Sequence, residues 1–380
     1  MNKDPILLTP GPTPVPERIL KAMSQCNIHH RSEEFTAILQ EVWNNLRFAF
    51  QTQNPVYLLA SSGTGGMEAA VANAFSPGDK VIVVDSGKFG ERWGGIGKVY
   101  GLEVVTIKVE WGRAVDPQQI GDLLRTHPDT VGVLFQACET STGVMHPVKG
   151  IADIVHENSD ALLVCDAITG TGVFSIPADE WGIDIVVSGS QKAFMLPPGL
   201  AFISASPRAW KRIEQCSSPR FYLDLKRERK SYEKGTTAYT PAISLILGLR
   251  EALLMMRDEG LSARFERTAS LAQVTQEGFK SMGLELFASN ALSPSLTAVK
   301  SPPGIDSGQL VKKLRSQYNI WIAGGQDQLK GKIFRVSHMG AVGAKDLAEG
   351  MKAINNVLTD LGAQLSFNQQ QLEQRFGEVS

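Results

Sequence analysis

Four stretches of the 380-residue chain combine residue types that do chemistry. SGSQKAFMLPPG, at 188–199, puts Lys192 just past the apolar run IDIVV. A lysine held in a partly dry site loses its proton more readily and can condense with an aldehyde. ALLVCDAITGTGV places Asp166 directly after an apolar run, where a bare carboxylate is expensive to keep. SSGTGGMEAA, beginning at Ser61, is a glycine-rich turn feeding a helix. Free backbone N–H groups and the positive end of the helix dipole suit a phosphate there, and Ser61, Ser62 and Thr64 could add hydroxyls. KIFRVSHMG carries Arg335 between Phe334 and Val336. Strand alternation turns Arg335 to the face opposite those two, and its guanidinium fork suits a carboxylate.

Each stretch also has a plainer reading: a tight turn that needs glycine, a capping aspartate, a loop lysine, an edge-strand arginine. The turn is neither a P-loop, since no GK[ST] follows, nor GxGxxG, so a nucleotide or a dinucleotide dehydrogenase has no specific support. Together the four describe what pyridoxal phosphate needs: an anchored phosphate, a carboxylate to keep the ring nitrogen protonated, a lysine for the aldehyde, and a grip on the amino acid.

These residues must be held by an α/β framework. From residue 56, apolar runs at 56–60, 80–84, 102–109, 131–136, 161–165, 183–187 and 200–204 alternate with helical patterns at 67–75, 90–100, 117–126 and 148–157. That alternation predicts a mostly parallel sheet flanked by helices, which binds ligands beyond the carboxyl ends of its strands. Residues 1–16, with five prolines, read as an extended arm that does not pack, and helices are expected after Pro16 and over 33–51. Residues 17–260 form the expected large domain. Its last helix follows Thr240 as N-cap and Pro241 in the first turn, and Gly260 ends it. Residues 261–380 read as a smaller α+β domain with helices at 263–282 and 345–361, strands at 295–299, 320–323 and 332–336, and a polar, Gln-rich tail.

Composition narrows the classes. A hydrophobic fraction of 43% and a charged fraction of 20% fit a globular protein, and a net charge of −1 gives no global attraction to nucleic acid or an anionic membrane. No apolar run is long enough to span a bilayer, and the N-terminus lacks a signal-peptide pattern. Cys26, Cys138, Cys165 and Cys216 form no CxxC pair, so no metal site is expected and a reduced, cytoplasmic compartment fits.

The chain resembles the class V, fold-type I aminotransferases, in particular the alanine–glyoxylate and serine–glyoxylate (serine–pyruvate) branch. LLTPGPTPVPERIL, HHRSEEF, SSGTGGMEAA, ETSTG, CDAITG, SGSQKAFMLPPG, TPAISLILGLREAL and FRVSHMG occur in family order and cover nearly all of it. The resemblance implies pyridoxal 5′-phosphate as cofactor and a ping-pong transamination between a small amino acid (alanine or serine) and glyoxylate or another small 2-oxo acid. Lys192 is then the Schiff-base lysine and Asp166 the partner of the ring nitrogen. Thr64, Gly65, Gly66 and Gln191 would lie at the phosphate, Thr140 at the ring oxygen, and Phe89 against the ring, with Trp93 structural. Arg335 would hold the substrate carboxylate. A homodimer is implied, with Thr237 and Tyr239 reaching the neighbouring subunit's phosphate. Gly66-Met67 and Gly170 depart from some relatives and are expected near the cofactor.

Two alternatives sit within the fold. Cysteine desulfurases look like SxHK at the lysine and need a reactive loop cysteine, whereas here Gln191 precedes Lys192. Some cyanobacterial relatives carry a soluble hydrogenase label, yet four isolated cysteines do not supply a hydrogenase's metal ligands. A binding protein that had lost catalysis would not need Lys192, Asp166 and Arg335 together.

Overall fold

The computed structural model describes residues 4–25 and 27–379, so Cys26 lies outside the described residues. The strands, in chain order, are β1 (Ile6–Leu7), β2 (Val56–Leu59), β3 (Lys80–Asp85), β4 (Glu103–Lys108), β5 (Thr130–Gln136), β6 (Cys138–Glu139), β7 (Val144–Met145), β8 (Leu162–Asp166), β9 (Ile185–Gly189), β10 (Ala201–Ala205), β11 (Leu296–Lys300), β12 (Ile320–Trp321), β13 (Ala323–Gly324) and β14 (Ile333–Ser337). Seven of them form the main sheet in the order β2-β10-β9-β8-β5-β3-β4. All pairings are parallel except those of β10, which runs antiparallel to both β2 and β9.

The central strands read as unbroken apolar runs because both faces of the sheet are covered. Val81, Val83, Leu134 and Val164 enter one buried cluster, while Ile82, Val84, Phe135 and Cys165 enter the other. Asp85, Gln136 and Asp166 close β3, β5 and β8 with polar residues at their carboxyl ends. Gln136 pairs with Asp166, Asp166 with Val187, and β9 ends at Gly189, three residues before Lys192. The mixed α/β fold with a mostly parallel sheet is as expected.

A second sheet, β11-β14-β13, is antiparallel. Phe334 and Val336 join a separate apolar core with Phe279, Leu310 and Ile354, while Arg335 points the other way, as alternation requires.

Several boundaries differ from the sequence expectation. The helix after β2 is Gly63–Ala74, so the glycine turn is itself the first helical turn. The helix expected to be capped by Thr240 is Ile243–Glu259, with Ala242 as its N-cap. Gly260, at φ +79°, does end that helix. The expected strand 320–323 is split: Ile320 and Trp321 pair with β1, whereas Ala323 and Gly324 pair with β14. Helices Pro207–Gln215, Leu225–Tyr232 and Ser307–Lys313 were not anticipated.

The N-terminal arm is packed, contrary to expectation. β1 lies parallel to β12, the Ser337 N–H donates to the Leu8 carbonyl, and the Thr13 N–H and hydroxyl donate to the carbonyls of Gln191 and Lys192. The prolines remove backbone donors from 10–16, but Ile6–Leu7 ahead of them still pairs as a strand and single hydrogen bonds dock the rest.

Candidate active site

Lys192 lies where the arm crosses the carboxyl end of β9. Its ammonium donates to the Pro10 carbonyl, and a Cβ on Gly11 would fall 2.7 Å from Lys192 Cε. Burial, reinforced by the Arg335 charge, pulls the Lys192 pKa down to about 8. Asp166 ends β8 with 5% of its surface exposed, and among the described residues its carboxyl takes one hydrogen bond, from the Ile168 N–H at 2.9 Å. Burial pushes its pKa up to about 7, against the pull of that bond and of Arg92 and Lys192.

The start of helix Gly63–Ala74 has no side-chain cap. The N–H groups of Gly65 and Gly66 both turn back to the Ser62 carbonyl, at 2.9 and 3.3 Å. The uncommitted amides are therefore those of Gly63 and Thr64, one step earlier in the chain than Gly65 and Gly66. Gly66 instead packs on the sheet, where a Cβ would meet Val187 Cγ1 at 2.7 Å. Gln191 Oε1 is buried without a partner. A Cβ on Gly189 would lie 3.2 Å from that oxygen and 3.6 Å from Gly63 N, so the Gln191 amide and the free helix amide converge on one spot. Arg92, which sequence reasoning missed, donates to Thr64 Oγ1 at 2.9 Å and lies 4.8 Å over the Phe89 ring. The available signal was its i+3 spacing from Phe89 on one helix.

Phe89 is half-buried in helix Lys88–Val99, and Trp93 is buried with its indole N–H on the Phe135 carbonyl at 3.3 Å. Thr140 Oγ1 meets Thr169 Oγ1 at 2.9 Å, and the Thr140 carbonyl accepts from Arg335 Nη1 at 2.9 Å. Arg335 also donates through Nε and Nη2 to the Gly324 carbonyl. Three of its five N–H groups are thus spent on fixing the guanidinium plane, and two remain for a ligand. Burial lowers its pKa to about 10, so it stays charged near neutrality.

Thr237 and Tyr239 stand apart from this group. The Thr237 hydroxyl donates to the Tyr239 carbonyl and the Tyr239 hydroxyl to the Phe221 carbonyl, both within their own chain. Met67 is fully buried, and a Cβ on Gly170 would meet Ile176 Cδ1 at 2.8 Å, so core packing selects these residues.

Pyridoxal phosphate fits the residues present. Asp166 is a buried carboxylate in need of a cationic partner, and Gly63 and Thr64 offer free amides at a helix start.

The aminotransferase class-V family matches residues 6–341. A Synechococcus protein called soluble hydrogenase, small subunit, is 42% identical across 95% of both chains. The serine–glyoxylate aminotransferase of Methylorubrum extorquens is 32% identical, across 95% of this chain and 92% of that one. The crystal structure of the alanine–glyoxylate aminotransferase of Nostoc sp. superimposes with a TM-score of 0.90 at 31% identity, covering 94% of this chain and 96% of that one. The chain therefore belongs to the class V aminotransferases and uses pyridoxal phosphate.

Proposed function

We propose that the protein moves the amino group of alanine or serine to glyoxylate or another small 2-oxo acid in two half-reactions. The observation that carries this reading is the placement of Lys192, with its lowered basicity, among the groups that set its charge, Asp166 and Arg335. When bound, pyridoxal phosphate supplies an aldehyde and a ring that takes up the electron pair left by the departing α-proton. Lys192, neutral in a large fraction of molecules near its pKa of about 8, would take that proton from the amino acid's α-carbon and deliver it to the carbon that carried the cofactor's aldehyde. Asp166 keeps a proton on the ring nitrogen. Arg335 holds the α-carboxylate with its two uncommitted N–H groups. Gly63, Thr64 and Gln191 hold the phosphate, with Gly65 and Gly66 shaping the turn; Phe89 backs the ring and Thr140 meets its oxygen.

We read 1–16 as an arm, 17–260 as the cofactor-binding domain and 261–380 as the small domain. The separate apolar core drawn almost wholly from residues beyond 270 supports that division. We further read the protein as a homodimer in which Thr237 and Tyr239 complete the neighbour's phosphate site. The exposed Phe221 and Tyr222 beside Tyr239 favour a protein surface there. Among the described residues no helix is long and apolar enough to cross a membrane. Cys138, Cys165 and Cys216 are free thiols, which suits a cytoplasmic setting.

Lys192→Ala tests the assignment. It is expected to abolish both the visible absorbance of the covalently held cofactor and transamination, and full turnover in that variant would overturn the reading. A donor panel with glyoxylate as acceptor then separates alanine from serine.

A further inference from the structure

Glu139 lies at the back of the site, fully buried, and among the described residues no basic side chain forms an ion pair with it. Its carboxyl instead accepts from five N–H and O–H donors, one of them shared by both oxygens. Oε2 accepts from the Phe89 N–H at 3.2 Å, the Gly90 N–H at 3.1 Å and Gln136 Nε2 at 3.0 Å. Oε1 accepts from the Ser141 N–H at 3.2 Å and the Ser141 hydroxyl at 2.5 Å, and shares the Phe89 N–H at 3.4 Å. Every one of these partners donates, which suits an acceptor-only carboxylate. A second tier supports it. The Val115 N–H donates to His146 Nδ1 at 3.1 Å, so His146 Nε2 carries the proton and donates to Ser86 Oγ at 2.7 Å. The Ser86 hydroxyl also accepts from Gln136 Nε2 at 2.8 Å.

The carboxylate serves two elements. Helix Lys88–Val99 begins after Gly87, which has no side chain to cap it, and Glu139 supplies the missing acceptor from across the cleft wall. A Cβ on Gly87 would lie 2.6 Å from Glu139 Cδ, so only glycine leaves the carboxylate room. The other oxygen fixes Ser141. Its neighbour Thr140 meets Thr169 through its side chain and Arg335 through its carbonyl.

We propose that Glu139 is a positioning residue for the cofactor ring: it sets the Phe89 face and the Thr140 contact in register and, through the Thr140 carbonyl, steadies Arg335. This rests on the reading of Phe89 and Thr140 as ring contacts. It goes beyond that reading by assigning their alignment to one carboxylate that touches neither ring nor substrate.

Glu139→Gln tests it, because the amide keeps the shape but can accept on one side only. The readouts are amide hydrogen exchange in the cofactor-free chain, cofactor dissociation by equilibrium dialysis, and visible circular dichroism of the bound cofactor. Faster exchange confined to the Phe89–Gly90 or Ser141 amides is expected, with cofactor binding weakened on the order of tenfold, one lost charge-assisted bond being worth about that, and altered dichroism. Wild-type affinity and dichroism would overturn the proposal. So would exchange that rises evenly across the chain, the mark of general destabilisation. Ser141→Ala, which removes one donor, carries the same test more gently should Glu139→Gln not fold. Phe89→Ala separates the two levels. If it leaves cofactor binding unchanged, the ring-contact reading fails; if it weakens binding and Glu139→Gln does not, only the role of Glu139 fails.

Discussion

At Lys192 and Asp166 burial works against charge from both directions. The lysine is pulled down to about 8 and the aspartate pushed up to about 7, so each is held nearer its neutral form than in water. For an acid whose folded pKa lies above its unfolded value, ionisation costs the folded state more than the unfolded one. The Asp166 burden is therefore absent below its unfolded pKa of 3.8 and grows as the pH rises through about 7. A tenfold change in an acid's dissociation constant corresponds to ~1.4 kcal/mol, so removing the charge should return on the order of a few kcal/mol to the cofactor-free protein at about pH 8. Asp166→Asn is accordingly expected to melt higher than the wild-type apoprotein at that pH. The gap should narrow as the pH falls toward about 5 and close only near the unfolded pKa of 3.8, and cofactor affinity should drop at every pH. Parallel melting curves across that range check this; a gap independent of pH would remove Asp166 from the account. The same trade, stability given up at a functional position, is what a binding site for a charged ring requires.

At the scale of elements, the N-terminal arm is the part that binds the site together. It is fastened at one end to β12 and the Ser337 N–H and at the other to the backbone of Gln191 and Lys192. Between the fasteners, Gly11 sits at φ +131° with its α-carbon against the Lys192 side chain. An alanine there faces both a disfavoured backbone region and a collision. Gly11→Ala should leave most of the fold intact, slow attachment of the cofactor aldehyde to Lys192 at least ~10-fold, about 1.4 kcal/mol of barrier, and lower kcat more than it raises KM. Stopped-flow absorbance on the apoprotein reads the first effect; an unchanged attachment rate would show that the arm does not bear on the lysine. None of this was legible in the sequence, because the prolines of 1–16 report only what the arm cannot form. The central strands were legible, since residues buried on both faces leave continuous apolar runs, and Lys192, Asp166 and Arg335 announce themselves as polar types beside or within apolar segments. Gly63 and Glu139 did not. The free amide of Gly63 is a property of helical hydrogen bonding rather than of residue type, and the partners of Glu139 lie in elements about fifty residues apart.

For the whole molecule, the question is whether one chain holds a complete site. Thr237 and Tyr239 spend their hydroxyls on their own chain and make no hydrogen bond to Lys192, Asp166, Arg335 or Thr64. Beside them, Phe221 is 66% and Tyr222 46% exposed, a cluster of large apolar rings that a monomer would rarely leave to water. A twofold dimer burying that cluster would place each chain's 237–240 segment against its neighbour, and a closed twofold repeats the contribution in both directions. Hybrid dimers distinguish this from a segment that serves its own chain. Lys192→Ala and a Thr237→Ala/Tyr239→Phe double variant are each expected to be nearly inactive as homodimers. In a hybrid carrying one chain of each kind, one site combines both defects. The other combines an intact lysine from the double-variant chain with an intact segment from the Lys192→Ala chain. If the segment crosses the interface, the hybrid should recover roughly half of the wild-type activity per dimer, one competent site of two. If the segment serves its own chain, neither site is whole and no activity returns, so differently tagged chains purified as the mixed species give opposite answers.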